Sequence, residues 1–231
     1  MTDLEASVLP HCCYSLEEIK SVIAGGDFIV KAPWSSSGKG LLALSQRMGV
    51  KEQEWIGGIL RRQGYIMVEK RLEKVVDFAL EFRKREKGCE FIGCSSFITG
   101  KQGEYRGNRL ESQEKMVQEL LTYLPAERWM ELKREIPEML NQLLPEYRGY
   151  LGVDMMIYKN NKGMYALQPC VEINLRYNMG IVALFLTQRY LHPATQGVFK
   201  VEFYARPGEA LERVLQLRQT HPAQYKNNRL E

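Results

Sequence analysis

The stretch "FIVKAPWSSSGKG", residues 28–40, sets the problem, because an apolar run ends in Lys31 and opens at once into small residues. Phe28 to Lys31 reads as a strand, Leu41 to Leu44 resumes the pattern, and the two together predict a hairpin with the loop at its bend. The common phosphate motifs do not fit. A Walker loop needs Gly where Pro33 stands and Ser or Thr where Gly40 stands, and G-x-G-x-x-G is not met here either. What remains is a lysine on a rigid strand end beside Ser35, Ser36, Ser37, Gly38 and Gly40. Such a loop offers backbone N–H groups and hydroxyls to phosphate oxygens because nothing bulky blocks approach. By itself the stretch fits a polar hairpin turn with a surface lysine equally well.

A second constellation lies far downstream. Asp154 falls inside "YLGVDMMIY", and Glu172 and Asn174 inside "CVEINLRY". Residues two apart on a strand face the same side, so Glu172 and Asn174 project together. Two carboxylates and an amide are hard oxygen ligands suited to Mg2+ that also takes phosphate oxygens. Their neighbours Val153, Met155, Val171 and Ile173 are apolar, and a charge among such residues costs free energy unless it is paired or metal-bound. A third stretch, "YIMVEKRL" (65–72), predicts a strand ending in Glu69 whose backbone could meet a flat base.

The remaining pattern alternates strand blocks with helices. Ser15-Leu16-Glu17-Glu18 has capping-box form, and apolar Leu16, Ile19, Val22 and Ile23 predict a short helix stopped at Gly25-Gly26. Further helices are predicted over Glu52–Arg62, Ser112–Tyr123, Ala126–Leu143, Met179–Tyr190 and Pro207–Gln219. The segment from Val75 to Leu110 predicts two long strands and a shorter third. Strands are also predicted over Tyr150–Tyr158, Met164–Asn174 and Val198–Tyr204. Strands in blocks with helices beside them make an α+β class with mostly antiparallel sheets.

Composition bounds the function. The 231 residues carry 32 basic and 28 acidic side chains, net +4, with the signs interspersed. That argues against nucleic acid as a partner, and the run Arg83–Lys87 before Gly88 reads as a solvated hairpin tip. No apolar run reaches about 18 residues, so no membrane span is expected, and no secretory leader is visible. The expected location is cytoplasmic. Five cysteines (Cys12, Cys13, Cys89, Cys94, Cys170) without C-x-x-C spacing read as reduced thiols rather than a disulfide or zinc framework.

Taken in order, the strand lysine, small-residue loop, hinge strand, aspartate and E-x-N resemble the ATP-grasp superfamily over about Leu9 to Tyr190. The family's best-known members are carboxylate–amine ligases. The resemblance implies two α+β subdomains enclosing ATP: residues 9–68 with the phosphate-covering loop, and residues 69–220 with the adenine hinge and metal site. A polar tail at 221–231 follows, whose Leu230-Glu231 reads as a cloning scar; the chain would then be a domain cut from a longer protein. The resemblance also implies roles. Lys31 would meet the α- and β-phosphates, Ser36, Ser37 and Gly38 would close over them, and Glu69, Lys70 and Leu72 would bind adenine. Asp77 would hold the ribose, and Asp154, Glu172 and Asn174 would bind Mg2+ (or Mn2+). Arg176, from the E-x-N-x-R form, would approach the γ-phosphate or the reacting carboxylate, with Arg106 or Arg109 as a further phosphate-side charge.

The implied reaction is transfer of the γ-phosphoryl group to a small-molecule carboxylate, giving an acylphosphate that an amine attacks. The family's usual upstream phosphate lysine and acceptor-binding domain are not in this sequence; the expectation is either a longer protein, with an upstream domain or partner subunit, or a site that lacks this part in nature. Two alternatives stay open: a nucleotide-binding module without chemistry of its own, and a small-molecule kinase on the same fold.

Overall fold

The computed structural model describes residues 8–35, 40–45, 47–100 and 104–230. It divides into two compact units, each an α+β assembly with its own apolar core. The first comprises Met1–Glu73 with the pieces Thr99–Tyr105 and Lys159–Lys162. The second comprises Lys74–Ile98, Arg106–Tyr158 and Gly163–Glu231.

The first unit is a four-stranded antiparallel sheet in the order β1-β4-β2-β3, built from β1 (His11–Cys13), β2 (Phe28–Lys31), β3 (Leu41–Leu44) and β4 (Ile66–Lys70). Two helices pack with it, α1 (Leu16–Ile23) and α2 (Val50–Gln63). The expected cap starts α1: Glu18 N–H donates to Ser15 Oγ at 3.1 Å. Glu18 Oε2 in turn accepts from the Tyr14 N–H at 2.7 Å, which ties the strand before the helix to its first turn. Ile19 and Ile23 then face a core of Val30, Ile56, Ile66 and Val68.

The second unit is a six-stranded sheet in the order β10-β7-β6-β5-β8-β9. Its strands are β5 (Glu73–Arg85), β6 (Gly88–Thr99), β7 (Tyr105–Leu110), β8 (Gly149–Lys159), β9 (Tyr165–Asn174) and β10 (Gly197–Phe199). Helices α3 (Gln113–Leu120) and α4 (Ala126–Leu143) supply Met116, Leu120, Trp129, Leu132, Ile136 and Leu140 to the core. The sheet answers with Phe78, Leu80 and Phe82 from β5 and Leu151, Val153, Met155 and Ile157 from β8. These are alternate residues, so the intervening Asp77, Ala79, Glu81, Gly152 and Asp154 take the opposite face. That alternation positions the candidate site.

Helix α5 (Met179–Tyr190) follows β9 directly, and α6 (Glu209–Thr220) lies near the chain end. The expected strand Val198–Tyr204 stops at Phe199, and Phe203 is 92% exposed. The polar tail holds a small hairpin, β11 (Tyr225–Lys226) and β12 (Arg229–Leu230), around Asn227 and Asn228 at φ 51° and 60°, the left-handed geometry that two-residue turns prefer.

The Arg83–Lys87 run does lie at the β5–β6 bend, but its charges are not all solvated. Lys84 is buried and donates to Asn141 Oδ1 at 2.8 Å, and the Arg83 guanidinium lies 5.2 Å from the Tyr150 ring centroid. The five cysteines are free. No helix among the described residues is long and apolar enough to cross a membrane.

Candidate functional site

In the first unit, the β2–β3 hairpin carries the loop as expected. The Ala32 N–H donates to the Gly40 carbonyl at 2.8 Å, closing the loop base. Gln63, at the end of α2, pins one flank: its Oε1 accepts from the Trp34 N–H at 2.9 Å, and its Nε2 donates to the Trp34 carbonyl at 3.2 Å. The Trp34 side chain itself is exposed. Ser36, Ser37 and Gly38 lie outside the described residues.

Lys31 ends β2 and forms a half-buried ion pair with Glu69 Oε2 at 2.6 Å. The register explains it: Lys31 stands opposite Met67 and Ile29 opposite Glu69, so the two charges meet diagonally across β2 and β4. Two residues assigned to different parts of a nucleotide are therefore direct neighbours. Lys70 ends β4 opposite Phe28, and Leu72 follows in the half-buried link to β5.

The second unit gathers the other set. Asn174 Nδ2 donates to Asp154 Oδ2 at 3.1 Å, across β8 and β9. Glu172 and Arg176 both lie close enough to act on the Asp154 charge. Asn174 is buried and Glu172 is exposed, so the set runs from the sheet interior to solvent. Asp77 sits on β5 and pairs with Lys74 at 2.5 Å. Arg109 is held by Glu111 at 2.8 Å and Glu119 at 2.7 Å, which commits its guanidinium to carboxylates of its own unit.

Burial pushes the Asp154 carboxyl up to about 7, and the like charges of Glu172 and Glu81 push the same way, against the Asn174 hydrogen bond and Arg176. Among the described residues no group of three or more His, Cys, Asp or Glu side chains is placed to hold a metal. The candidate set is instead two carboxylates and an amide, all hard oxygen donors, with mutual repulsion that a divalent cation would relieve. That donor chemistry fits Mg2+.

Sequence reasoning missed Glu81. It alternates on β5 with the core residues Phe78, Leu80 and Phe82, yet it is itself 1% exposed. Burial pushes its carboxyl up to about 7, against hydrogen bonds from Asn178 and Ser95 that favour the charged form. An acid whose folded pKa is raised contributes stability below its ordinary value of 4.5, and that contribution is lost as pH rises through about 7. Glu81→Gln should therefore gain on wild type by on the order of 2–3 kcal/mol between pH 5 and pH 8, measured by urea unfolding at both values. An equal difference at the two values would contradict the assignment.

No family model and no curated protein matches the chain. Solved structures do. The N5-carboxyaminoimidazole synthetase of Staphylococcus aureus, complexed with ADP, aligns over 96% of this chain and 61% of its own, at TM-score 0.55 and 16% identity. The fold is the ATP-grasp fold. The biotin carboxylase of Campylobacter jejuni matches it as well, over 78% of this chain and 39% of its own, at TM-score 0.54 and 10% identity. So does the biotin carboxylase domain of the Hydrogenobacter thermophilus 2-oxoglutarate carboxylase, over 74% and 36%, at 0.53 and 13%. This chain thus spans about three fifths of the synthetase and under two fifths of each carboxylase. The two α+β units and mostly antiparallel sheets are those expected of an ATP-grasp protein.

Proposed function

We propose that the chain binds ATP with Mg2+ and activates a small-molecule carboxylate for attack by an amine. The observation that carries this reading is the gathering of Asp154, from the middle of β8, with Glu172 and Asn174 near the end of β9 and Arg176 just after it, on an ATP-grasp fold. A carboxylate oxygen forms a bond to the γ-phosphorus, and the bridging bond to the β-phosphate breaks, its electron pair leaving on ADP. The amine nitrogen then bonds to the acyl carbon, loses a proton, and phosphate departs with the C–O electron pair.

No side-chain nucleophile is required, so the work of the protein is positioning and charge neutralisation. Lys31, steadied by Glu69, would offer a cation to the phosphates, which Ser36, Ser37 and Gly38 would close over. Glu69, Lys70 and Leu72 offer the edge that adenine meets, and Asp77 the ribose contact. Asp154, Glu172 and Asn174 would hold Mg2+, which when bound offsets charge on the phosphate oxygens. Arg176 does the same at the transferred group or the acceptor carboxylate. The account requires no partner membrane or nucleic acid, and its acceptors are small molecules.

A second reading has a specific support. The chain spans only part of the proteins it resembles in fold, which suits a nucleotide-binding module acting with an upstream domain or partner subunit. Hydroxylamine separates the two. With Mg2+–ATP and pools of amino acids and short dicarboxylates, a ligase releases ADP and yields an acylhydroxamate. Nucleotide binding without ADP release under those conditions would favour the module.

A further inference from the structure

Among the described residues the proposed reaction leaves two buried carboxylates unused, Glu111, which holds Arg109, and Glu81. Glu81 Oε1 accepts from Ser95 Oγ at 2.8 Å, and Oε2 accepts from Asn178 Nδ2 at 2.9 Å, both within the second unit. Asn178 is the N-cap of α5, its Oδ1 accepting from the Ile181 N–H at 2.9 Å. One amide side chain thus joins a strand 97 positions away to the first turn of a helix. Two glycines make room: a Cβ on Gly152 would overlap Glu81 Oε2 and Asn178 Nδ2, and one on Gly180 would overlap Glu81 Oε1 and Ser95 Oγ. The β5–β6 register also shifts between Glu81 and Phe82, an irregularity of the kind that re-aims a side chain.

The segment so anchored is short. Only residues 175–178 separate the end of β9 at Asn174 from the start of α5, and Arg176 lies among them. Leu175 and Tyr177 are exposed at 45% and 53%. The Arg176 N–H donates locally, to the Asn174 carbonyl at 2.9 Å. Tyr177 adds ring contacts with Tyr150 and Phe185 at 5.1 and 6.2 Å. The directional tie to the sheet runs from Asn178 to Glu81. Both carboxylate oxygens of Glu81 accept a hydrogen bond, from Ser95 and from Asn178, whereas an amide has only one oxygen to accept with.

We propose that Glu81 is a positioning residue: by holding Asn178 it fixes the turn that presents Asn174 and Arg176 to the metal and phosphates. This rests on the reading of Asp154, Glu172, Asn174 and Arg176 as the ligand set. Glu81 would act by holding Asn178, beside the like charge it adds near Asp154.

The test uses Glu81→Gln, Asn178→Ala and the exchange Glu81→Gln/Asn178→Asp. In the single Gln variant one amide hydrogen faces a donor. In the exchange, the amide now on β5 donates to the carboxylate now at the N-cap of α5. The other oxygen of that carboxylate still accepts from the Ile181 N–H, and Ser95 keeps its acceptor. Two quantities are read: hydrogen exchange of the Ile181 amide, and affinity for Mg2+–AMP-PNP beside metal-free ADP. Both single variants should speed Ile181 exchange and weaken Mg2+–AMP-PNP by about tenfold, with ADP affinity unchanged. The exchange variant should restore both. If Glu81→Gln alone fails to fold, a folded exchange variant with wild-type values supports the proposal and an unfolded one overturns it. Unaltered Ile181 exchange in the single variants overturns it, as does faster exchange with Mg2+–AMP-PNP affinity intact. A wild-type chain that binds no Mg2+–AMP-PNP defeats the reading of the ligand set instead, and Ile181 exchange then decides whether Glu81 holds the turn.

Discussion

Glu172→Gln is expected to slow ADP formation from ATP by about 30- to 1000-fold while leaving metal-free ADP binding unchanged. The range corresponds to about 2–4 kcal/mol, the usual scale for removing one preorganised electrostatic element from a phosphoryl-transfer site. Glu172 is exposed on β9 and contributes its charge to the ensemble around Asp154, so the amide should disturb packing little. The loss should therefore appear in turnover and metal dependence rather than in melting temperature. Turnover close to wild type would remove Glu172 from the metal set.

Phe82→Ala should cost about 3–5 kcal/mol of stability, the range for truncating a buried aromatic. Phe82 is fully buried and packs edge-on to Phe91 at 5.8 Å, which in turn meets Trp129 of α4 at 6.2 Å. It sits on β5 next to Glu81, so its loss should loosen the strand that carries both Asp77 and Glu81. For a unit of this size the cost corresponds to a fall of about 6–20 °C in the melting temperature of the second unit. Calorimetric scanning checks it, and a loss below about 1 kcal/mol would contradict the core assignment.

How much of this is visible in the chain depends on whether the deciding contact is local. Helix α4 begins at Ala126 directly after Pro125 and presents Trp129, Leu132, Ile136 and Leu140 at helical spacing, so its limits Ala126–Leu143 match the expectation. Met179–Tyr190 and the strand Phe28–Lys31 match for the same reason. Strand β1 is not foreseeable, because three residues carry no period and become a strand only by pairing with Met67 and its neighbours. The opposite error arises after Phe199. Val201 and Phe203 alternate like a strand, but β10 pairs only as far as Asn108, and both side chains stay exposed.

The site divides along the same line. Asn174 stands out by parity with Glu172, and Asp154 by its apolar neighbours Val153 and Met155, and Asn174 and Asp154 meet. The Lys31–Glu69 pair is not legible, since it depends on the β2–β4 register. Glu81 is hidden because nothing local to β5 shows that the face opposite Phe78, Leu80 and Phe82 is covered at this position. Ser95, Gly152, Asn178 and Gly180, none of them local to Glu81 in sequence, reveal that the position is enclosed.

If the proposed site is right, this chain binds Mg2+–ATP and needs both Lys31 and Asn174 to do so. The measurement is calorimetric titration with Mg2+–AMP-PNP, repeated on Lys31→Ala and Asn174→Ala. The wild type should bind saturably, and both substitutions should abolish binding while the chain stays folded. Undiminished binding in both variants, or no binding by a folded wild type, would contradict the proposed site.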